Sequence, residues 1–329
     1  MSKSLADKFG RRIRYLRVSV TDRCNFHCKY CMPEGEFEHL SHSCILSFED
    51  MLFACSVFAE MGVEKIRVTG GEPLVRKGVT DFMHMLTDVK GIEEVTLTTN
   101  GSLLEKFADE IVAAGIRRVN ISLDSLRPER YRDITGGFDL DRLLKSLYIA
   151  KKAGLDPIKT NTVVIRGFNA DEIHDFCDFS VRSGVVARFI EFMPIGNSPD
   201  WKQENIVLGS EMLKIIGEKY DYEEIKKEHH AGPAKNYRLS NGGRVGIITP
   251  ISNHFCSECD KLRLTADGKL RPCLLTEEEY DLKEPIRKRD REGLIEAISG
   301  ALCKKEKEHH VVADKRNERY KRTMSGIGG

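Results

Sequence analysis

The chain has 329 residues, with 52 basic and 51 acidic side chains and a formal charge of +1 at pH 7. This balance excludes a protein that is basic throughout, so neither a nucleic acid nor a membrane surface is an expected partner. Any anion must be bound by a local group of cations. The N-terminus lacks a secretory signal and no run is apolar enough for a membrane span, so the ten cysteines are expected to be reduced thiols in the cytoplasm.

Six apolar or β-branched runs alternate with helix-length segments between residue 15 and about residue 193. Ser47 and Asp50 form a capping-box pattern at the start of the first helix. The alternation predicts parallel strands with right-handed crossovers, in an α/β fold. Six units are fewer than the eight of a complete βα barrel, so an incomplete barrel and an open doubly wound sheet both fit. The predicted strands are YLRVSV, EKIRVTG, EVTLTTN, RRVNISLD, PIKTNTVV and ARFIEFMP.

Polar or glycine-rich clusters follow five of these strands. In both candidate folds the functional residues lie beyond the carboxyl ends of the strands, so we expect one site on one face. The clusters are TDRCNFHCKYC, TGGEP, TTNG, SLDS and MPIGN.

The pattern changes near residue 199, which divides the chain into a βα domain at 1–199 and a smaller C-terminal region at 200–329. A helix is expected near residues 210–219, followed by two hairpins, YRLSNGGRVGIIT and LRLTADGKLRPC. The segment KEPIRKRDREGLIEAISGAL is expected to form one solvated helix. His309 and His310 are expected to lie on the surface.

The segment CNFHCKYCMP places three cysteines, Cys24, Cys28 and Cys31, just after the first predicted strand. Thiolates are soft ligands, which points to zinc, copper(I) or iron-sulfur chemistry. The spacing leaves open a zinc site, an iron-sulfur cluster and inert cysteines, whereas the position after a strand favours a catalytic site. A zinc site would need a fourth ligand, and the nearby candidates are His27, His39 and His42.

A second group consists of Cys256, Cys259 and Cys273, with CxxC spacing and a third cysteine beyond a predicted hairpin. Spacing alone favours a zinc ribbon, in which His254 would be the fourth ligand. The four remaining cysteines are expected to be small buried hydrophobic residues. They are Cys44, Cys55, Cys177 and Cys303.

The CxxxCxxC spacing, with Tyr30 before the last cysteine and a GGEP segment after the second strand, resembles the radical S-adenosylmethionine (SAM) enzymes. Over residues 17–329 the chain is similar to their GTP 3',8-cyclase family. The features shared with that family are CNFHCKYCMP, RVTGGEPLVR, the second cysteine group and the C-terminal RTMSGIGG. The resemblance implies an incomplete six-stranded βα (TIM-like) barrel with a small C-terminal α+β region that carries a second cluster.

The resemblance also implies a lyase with two oxygen-sensitive 4Fe-4S clusters, each held by one of the two cysteine groups. In the family, the first cluster reduces SAM to methionine and a 5'-deoxyadenosyl radical, which removes hydrogen from C3' of GTP. The resulting carbon radical attacks C8 of the guanine, which is held at the second cluster. Reduction then gives 3',8-cyclo-7,8-dihydro-GTP, in the first step of molybdenum cofactor biosynthesis.

Site residues carry over from the family by position. The SAM site would comprise Tyr30, Gly70, Gly71, Glu72, Pro73, Ser122 and Met193. The GTP site would comprise Arg17, Lys65, Arg67, Thr98, Lys159, Arg188, Lys261 and Arg263. Lys261 stands where the family usually has arginine, and lysine keeps the charge but lacks the planar fork of a bidentate contact. The family's tail inserts into the active site, which adds Gly328 and Gly329.

The expected partners are GTP, an electron donor that the sequence does not identify, and cyclic pyranopterin monophosphate synthase, which would receive the product. The sequence leaves a homodimer open. Two alternatives remain: another radical SAM enzyme with an auxiliary cluster, such as a peptide-modifying enzyme, and a zinc-binding interaction module without enzymatic activity.

Overall fold

The structure is a computed structural model and describes residues 5–31, 39–193, 195, 202–226, 232–309 and 322–328. Gly329 and the predicted domain boundary at residue 199 lie outside these residues. The strands are β1 (Tyr15–Ser19), β2 (Lys65–Thr69), β3 (Glu94–Thr99), β4 (Val119–Ser122), β5 (Ile158–Val164), β6 (Val186–Glu191), β7 (Tyr222–Ile225), β8 (Lys235–Leu239), β9 (Arg244–Ile248), β10 (Lys261–Leu264), β11 (Lys269–Arg271) and β12 (Tyr280–Asp281).

The helices within the described ranges include the connection that follows each of the first five strands. They are α1 (Phe48–Glu60), α2 (Val79–Thr87), α3 (Leu104–Ala113), α4 (Pro128–Thr135), α5 (Leu140–Lys152), α6 (Ile173–Ser183), α7 (Gly209–Gly217), α8 (Lys283–Arg287), α9 (Arg291–Cys303) and α10 (Met324–Ile327). Ser47 caps α1 as predicted, since its Oγ accepts a hydrogen bond from the backbone N–H of Asp50 at 3.1 Å. No described helix has the length and apolar character needed to cross a membrane.

The strands of the described residues form one sheet in the order β12-β11-β10-β1-β2-β3-β4-β5-β6-β9-β8-β7. Strands β1 to β6 are parallel and each pairs with the next in sequence. This sequential order lacks the reversal of a doubly wound sheet and does not return to its first strand. The prediction of an incomplete six-stranded βα barrel is therefore confirmed.

The C-terminal region extends the same sheet at both edges. Strand β10 pairs parallel with β1, and β9 pairs parallel with β6. The two predicted hairpins are also confirmed, because β8 pairs antiparallel with β9 and β10 with β11. One half of the C-terminal region thus adjoins the first barrel strand, and the other half adjoins the last.

Two smaller predictions are wrong. The charged segment near residue 290 forms two helices, separated at Arg289 (φ 55°), and α9 is not solvated all round. Its residues Leu294, Ile298 and Leu302 recur every four positions, which aligns them on one buried face. Of the single cysteines, Cys55 and Cys177 are buried as predicted, whereas Cys44 is only partly buried and Cys303 is exposed at the end of this helix.

Candidate active site between two cysteine groups

Alternate residues of the barrel strands face a central cavity of about 360 Å³. In β1 and β2, the apolar residues Leu16, Val18, Ile66 and Val68 are fully buried and pack into the main core. The intervening residues are polar or charged and line the cavity. They include Tyr15, Arg17, Lys65, Arg67 and Thr69. The inside of the barrel is therefore a polar site and not a filled core.

Strand register groups the cavity residues into levels. At the amino ends of the strands, Tyr15 pairs with Lys65 on one side and Lys261 on the other. Two residues further along, Arg17 pairs with Arg67 and Arg263. All eight predicted GTP contacts line this one cavity. They are Arg17, Lys65, Arg67, Thr98, Lys159, Arg188, Lys261 and Arg263.

Two cavity residues on β5 and β6, Lys159 and Arg188, are placed to bind an anion. Burial and the neighbouring positive charges lower the pKa of Lys159 to about 7 and that of Arg188 to about 10. The Nε of Arg188 is buried and has no hydrogen-bond partner among the described residues. A buried cation without a counter-charge is costly, so the cavity favours binding of a negatively charged group.

The other cations have partners that fix their positions. Lys65 and Arg118 both form ion pairs with Glu94, the latter at 3.0 Å. Arg67 donates to the phenolic oxygen of Tyr15 and, at 3.2 Å, to Thr98. Tyr15 was not predicted as a site residue. The signal available in the sequence was its place in the alternation of β1, two positions before Arg17.

The first cysteine group lies at the carboxyl ends of the strands, as predicted. Burial raises the pKa of the Cys24 thiol to about 11. Burial also raises the pKa values of Cys28 and Cys31, with contributions from the neighbouring thiols. The loop that carries them is fixed by backbone bonds, such as the one from His27 N–H to the carbonyl of Thr135 at 3.2 Å.

The backbone N–H of Phe26 also points at the Cys24 sulfur, with a nitrogen to sulfur distance of 3.3 Å. Tyr30 is anchored beside the cysteines, since its hydroxyl donates to Asp124 at 2.8 Å. Asp124 lines the cavity and was not predicted. Among the predicted SAM contacts, Tyr30, Gly70, Gly71, Ser122 and Met193 line the cavity as well.

The GGEP turn packs directly against the cysteine loop. A Cβ on Gly71 would lie 2.3 Å from the carbonyl oxygen of Arg23, and one on Gly70 would lie 2.5 Å from that of Thr21. The backbone N–H of Gly71 donates to Thr21 at 2.8 Å, and that of Glu72 donates to Arg23 at 2.8 Å. Glycine is therefore required here by the approach of two protein segments.

Glu72 and Pro73, also predicted SAM contacts, do not line the cavity. The Glu72 carboxylate is fully buried and accepts hydrogen bonds from the hydroxyl of Thr99 at 2.8 Å and the N–H of Asn100 at 2.6 Å. Burial raises its pKa to about 7. The Glu72 carboxylate joins the ends of β2 and β3 and lies behind the residues that line the cavity.

The second cysteine group lies at the opposite, amino-terminal end of the barrel. Cys256 and Cys259 precede β10, which runs parallel to β1, and the backbone N–H of Tyr15 donates to the carbonyl of Asp260 at 3.1 Å. Five residues of β1 separate the two ends, a span of about 16 Å. The prediction of a site on one face alone is therefore incomplete, because the site runs through the barrel.

The environment of the second group is more basic. Burial alone would raise the pKa of Cys259, but the positive charges of Lys305 and Lys261 outweigh it and lower that pKa. Cys256 has a raised pKa, chiefly from burial and also from Cys273 and Cys259. The N–H of Leu275 points at the Cys273 sulfur at 3.4 Å.

Two histidines adjoin the second group. The rings of His254 and His309 lie 5.0 Å apart at an angle of 67°, and both line the cavity. His309 was predicted as a surface residue, but its Nε2 lies 3.0 Å from the carbonyl oxygen of Pro250. His254 Nε2 lies 3.9 Å from Glu308, so its nearest charged partner is a carboxylate.

The C-terminal tail enters the cavity between the two cysteine groups. Met324 and Ser325 line the cavity, and Ile327 packs with Leu275 and Ile195. Gly328 has φ +82°, and a Cβ there would lie 2.7 Å from that of Ser19. The tail thus reaches from the neighbourhood of the second group to the end of β1, where the first cysteine loop begins.

The thiols of each group suit a polynuclear cluster. All six are free, each group faces the same cavity, and members of each group interact electrostatically. Among the described residues, no three His, Cys, Asp or Glu side chains lie close enough to hold a single metal ion. In an iron-sulfur cluster the thiolates bind different irons, so donors spread around a volume are appropriate. Three thiolates leave one iron open.

Two family models match the chain. The Radical SAM superfamily model matches residues 18–180, and the Molybdenum Cofactor Synthesis C model matches residues 185–311. The GTP 3',8-cyclase of Peptoclostridium acidaminophilum is 44% identical over 327 residues, covering 99% of this chain and 98% of that protein. The chain belongs to the GTP 3',8-cyclase family. The predicted family is confirmed.

Other members of the cyclase family match over the same length. The GTP 3',8-cyclase of Geobacter sulfurreducens is 42% identical over 326 residues, covering 99% of both chains. Solved structures with lower identity share the fold. Streptococcus suis SuiB bound to the precursor peptide SuiA has a TM-score of 0.62 at 15% identity, covering 91% of this chain and 72% of SuiB. Native anSMEcpe with bound AdoMet has a TM-score of 0.60 at 15% identity, covering 90% and 81%.

Proposed function

We propose that this chain is a GTP 3',8-cyclase, a radical SAM lyase that converts GTP to 3',8-cyclo-7,8-dihydro-GTP in the first step of molybdenum cofactor biosynthesis. The observation that carries the proposal is a single cation-lined cavity that connects two groups of three free cysteines. A triphosphate is a multiply charged anion that such a cavity would bind. The full-length similarity to other cyclases supports the same conclusion.

Cys24, Cys28 and Cys31 would hold the first 4Fe-4S cluster, with one iron left open for SAM. When bound, this cluster and SAM supply the electron and the 5'-deoxyadenosyl radical that removes hydrogen from C3' of the substrate. Tyr30, Gly70, Gly71, Ser122 and Met193 line the cavity on which SAM would lie. Glu72 and Pro73 would act indirectly, by fixing the GGEP turn against the cysteine loop.

Cys256, Cys259 and Cys273 would hold the second 4Fe-4S cluster, whose open iron would take the guanine of GTP. The two groups lie at opposite ends of the strands, so a nucleotide held at the second would extend through the barrel towards the first. Lys305 and Lys261, which lower the pKa of Cys259, would favour the thiolate form there.

The chain's cations would bind and orient the triphosphate. Arg17, Arg67 and Arg263 lie at one strand level and offer planar donor forks, while Lys159 and Arg188 face them from β5 and β6. Lys65 and Lys261 are partly neutralised by Glu94 and Asp260. The strongest attraction would therefore come from Arg188, whose charge is unpaired among the described side chains, and from Lys159 when it takes up a proton.

The tail would close the site. The carbonyl oxygen of Gly328 accepts a hydrogen bond from Arg263 at 2.8 Å, so the tail backbone and a predicted GTP contact form one unit. We include Gly329, which lies outside the described residues, because it completes the double-glycine motif of the family.

We further propose that the product passes to cyclic pyranopterin monophosphate synthase and that an external electron donor serves both clusters. The ten free cysteines favour a reducing location such as the cytoplasm. A homodimer stays a prediction of the sequence, and light scattering on the purified chain would test it.

The decisive experiment is anaerobic incubation of the reconstituted protein with a reductant, SAM and GTP, followed by mass analysis of the nucleotide. We expect the cyclic dihydro-GTP together with 5'-deoxyadenosine. Formation of 5'-deoxyadenosine without a GTP-derived product would retain the radical chemistry and refute the substrate. Colourless protein with zinc and without acid-labile sulfide would refute both the radical chemistry and the substrate.

A further inference from the structure

Tyr15 occupies the centre of the cation cluster. It lies on β1, is 7% exposed, and pairs in register with Lys65 on β2 and Lys261 on β10. The ammonium nitrogens of these lysines lie 5.3 Å and 5.6 Å from the centroid of the Tyr15 ring. At these distances the ring face attracts both cations, so the phenol helps to hold them on either side.

The phenolic oxygen contacts the next level of cations. The Nε of Arg67 donates a hydrogen bond to it, and Arg17 pairs with Arg67 in register on the neighbouring strand. Arg67 is held by Leu97 O at 3.3 Å and Thr98 Oγ1 at 3.2 Å as well. The hydroxyl therefore fixes the guanidinium of Arg67, which Arg17 adjoins on the neighbouring strand.

The charges around Tyr15 come from every strand packed against it. The cations are Arg17, Arg67, Lys65, Lys261, Arg188 and Arg263, and the carboxylates are Glu94 and Asp260. Burial alone would raise the Tyr15 pKa, but the charges of Arg67, Arg17 and Lys65 outweigh it and lower that pKa to about 8. Both carboxylates are engaged by lysines.

We propose that Tyr15 is a positioning residue of the nucleotide site, whose hydroxyl holds the guanidinium of Arg67 at the level of Arg17 so that Arg67 binds the phosphates of the substrate. The proposal rests on the proposed GTP cyclase function. The neutral phenol is the form that supports binding, because a phenolate would add a negative charge among the cations that attract the triphosphate. The role of Tyr15 should therefore diminish at alkaline pH.

The test compares Tyr15→Phe with the wild type and with Tyr148→Phe, whose side chain lies on α5 and is 67% exposed. The phenylalanine variant keeps the ring and loses only the hydroxyl. We expect the KM for GTP to rise about tenfold at pH 7, from the loss of the hydrogen bond to the charged Arg67, with SAM affinity and iron content unchanged. Tyr148→Phe should behave as the wild type.

The pH dependence separates positioning from a general structural role. The ratio of KM in Tyr15→Phe to KM in the wild type should fall as the pH rises from 7 to 9, because the wild type loses its neutral phenol over that range. The titration of Lys159 affects both proteins and cancels in the ratio. A ratio that is independent of pH would overturn the proposal.

A second variant, Arg67→Lys, tests the hydrogen bond between Arg67 and the Tyr15 hydroxyl. In Arg67→Lys the Nε donor is absent, so adding Tyr15→Phe should raise KM by less than about twofold. Full additivity of the two substitutions would overturn the proposal. A wild type that forms no cyclised nucleotide would refute the proposed function itself, whereas normal turnover with an unchanged KM in Tyr15→Phe would refute only the role of Tyr15.

Discussion

Arg263 donates a hydrogen bond to the backbone carbonyl oxygen of Gly328 at 2.8 Å, which joins a cavity cation on β10 to the C-terminal tail. Arg263 is paired in register with Arg17 on the neighbouring strand, so the tail contacts the cation cluster directly. Burial and the charge of Arg17 lower the pKa of Arg263 well below its ordinary value. The carbonyl dipole of Gly328 compensates part of that unfavourable charge.

This relationship predicts that Gly328→Ala will impair turnover. The residue has φ +82°, and an added Cβ would lie 2.7 Å from that of Ser19 and 3.2 Å from the Thr69 methyl. The tail would have to withdraw, because a residue with a Cβ fits neither the backbone conformation nor the space. We expect GTP cyclisation to fall at least about tenfold, by analogy with other losses of positioning groups. Product analysis by mass spectrometry measures this.

The matched control for the tail is Gly300→Ala in α9, where an added Cβ meets no atom within 4 Å. It should leave turnover unchanged. Iron content should be the same in both variants, because neither glycine contacts a cysteine loop. Full activity of Gly328→Ala would contradict the role of the tail.

A second prediction concerns the ion pairs that anchor the start of the tail. Arg322 binds Asp267 at 2.8 Å and Glu279 at 2.7 Å, and all three side chains are largely buried. Arg322→Met should cost about 2 kcal/mol of tail docking, since Asp267 loses its cation while Glu279 keeps only Arg271. We expect faster proteolysis of the tail and a lower kcat. Arg238→Met, whose ion pair with Glu223 is more than half exposed on both sides, should change neither.

The strands of the barrel could be predicted from the sequence because they depend on local patterns. The apolar and β-branched runs indicated strands, and the helix-length connections indicated that these strands are parallel, whereas the choice of the incomplete barrel came from the family resemblance. The family resemblance supplied the cation positions, and all of them line the cavity.

The position of the second cysteine group could not be derived in this way. It depends on β10 pairing parallel with β1, a contact between segments about 245 residues apart, and no local pattern specifies such a pairing. The same applies to Tyr15, whose partners Arg67 and Lys261 lie on two other strands. Glu72 was assigned to the cofactor from its place in GGEP, but the fold turns its side chain behind the cavity wall.

A third prediction separates the two cysteine groups. In Gly71→Ala the new Cβ would lie 2.3 Å from the carbonyl oxygen of Arg23, which is the residue before Cys24. The first cysteine loop would be displaced, while the second group at the other end of the barrel would be unaffected. We expect iron to fall from about eight to about four atoms per chain, as one of two four-iron clusters is lost. Iron and acid-labile sulfide assays measure this, and retention of about eight irons would contradict it.

The last prediction follows from the depressed pKa of Lys159, which burial and the charges of Arg188, Arg118, Arg67 and Lys65 lower from 10.5 to about 7. Between these two values the unfolded chain binds a proton that the folded chain does not, so this group makes the unliganded protein more stable as pH rises from 7 towards 10.5. A bound triphosphate favours the charged lysine and reverses the effect. GTP binding should therefore take up a proton.

At pH 8 a group with a pKa of about 7 is about one-tenth protonated, so its contribution to proton uptake should be about 0.9 proton. Arginine keeps the positive charge and does not titrate, so Lys159→Arg should take up about 0.9 proton fewer than the wild type. Any proton taken up by Tyr15 is the same in the two proteins and does not affect this difference. Calorimetric titration with GTP in two buffers of different ionisation enthalpy measures the uptake directly. Equal uptake in the two proteins would show that Lys159 is already charged in the empty cavity and that its positive neighbours do not set its protonation.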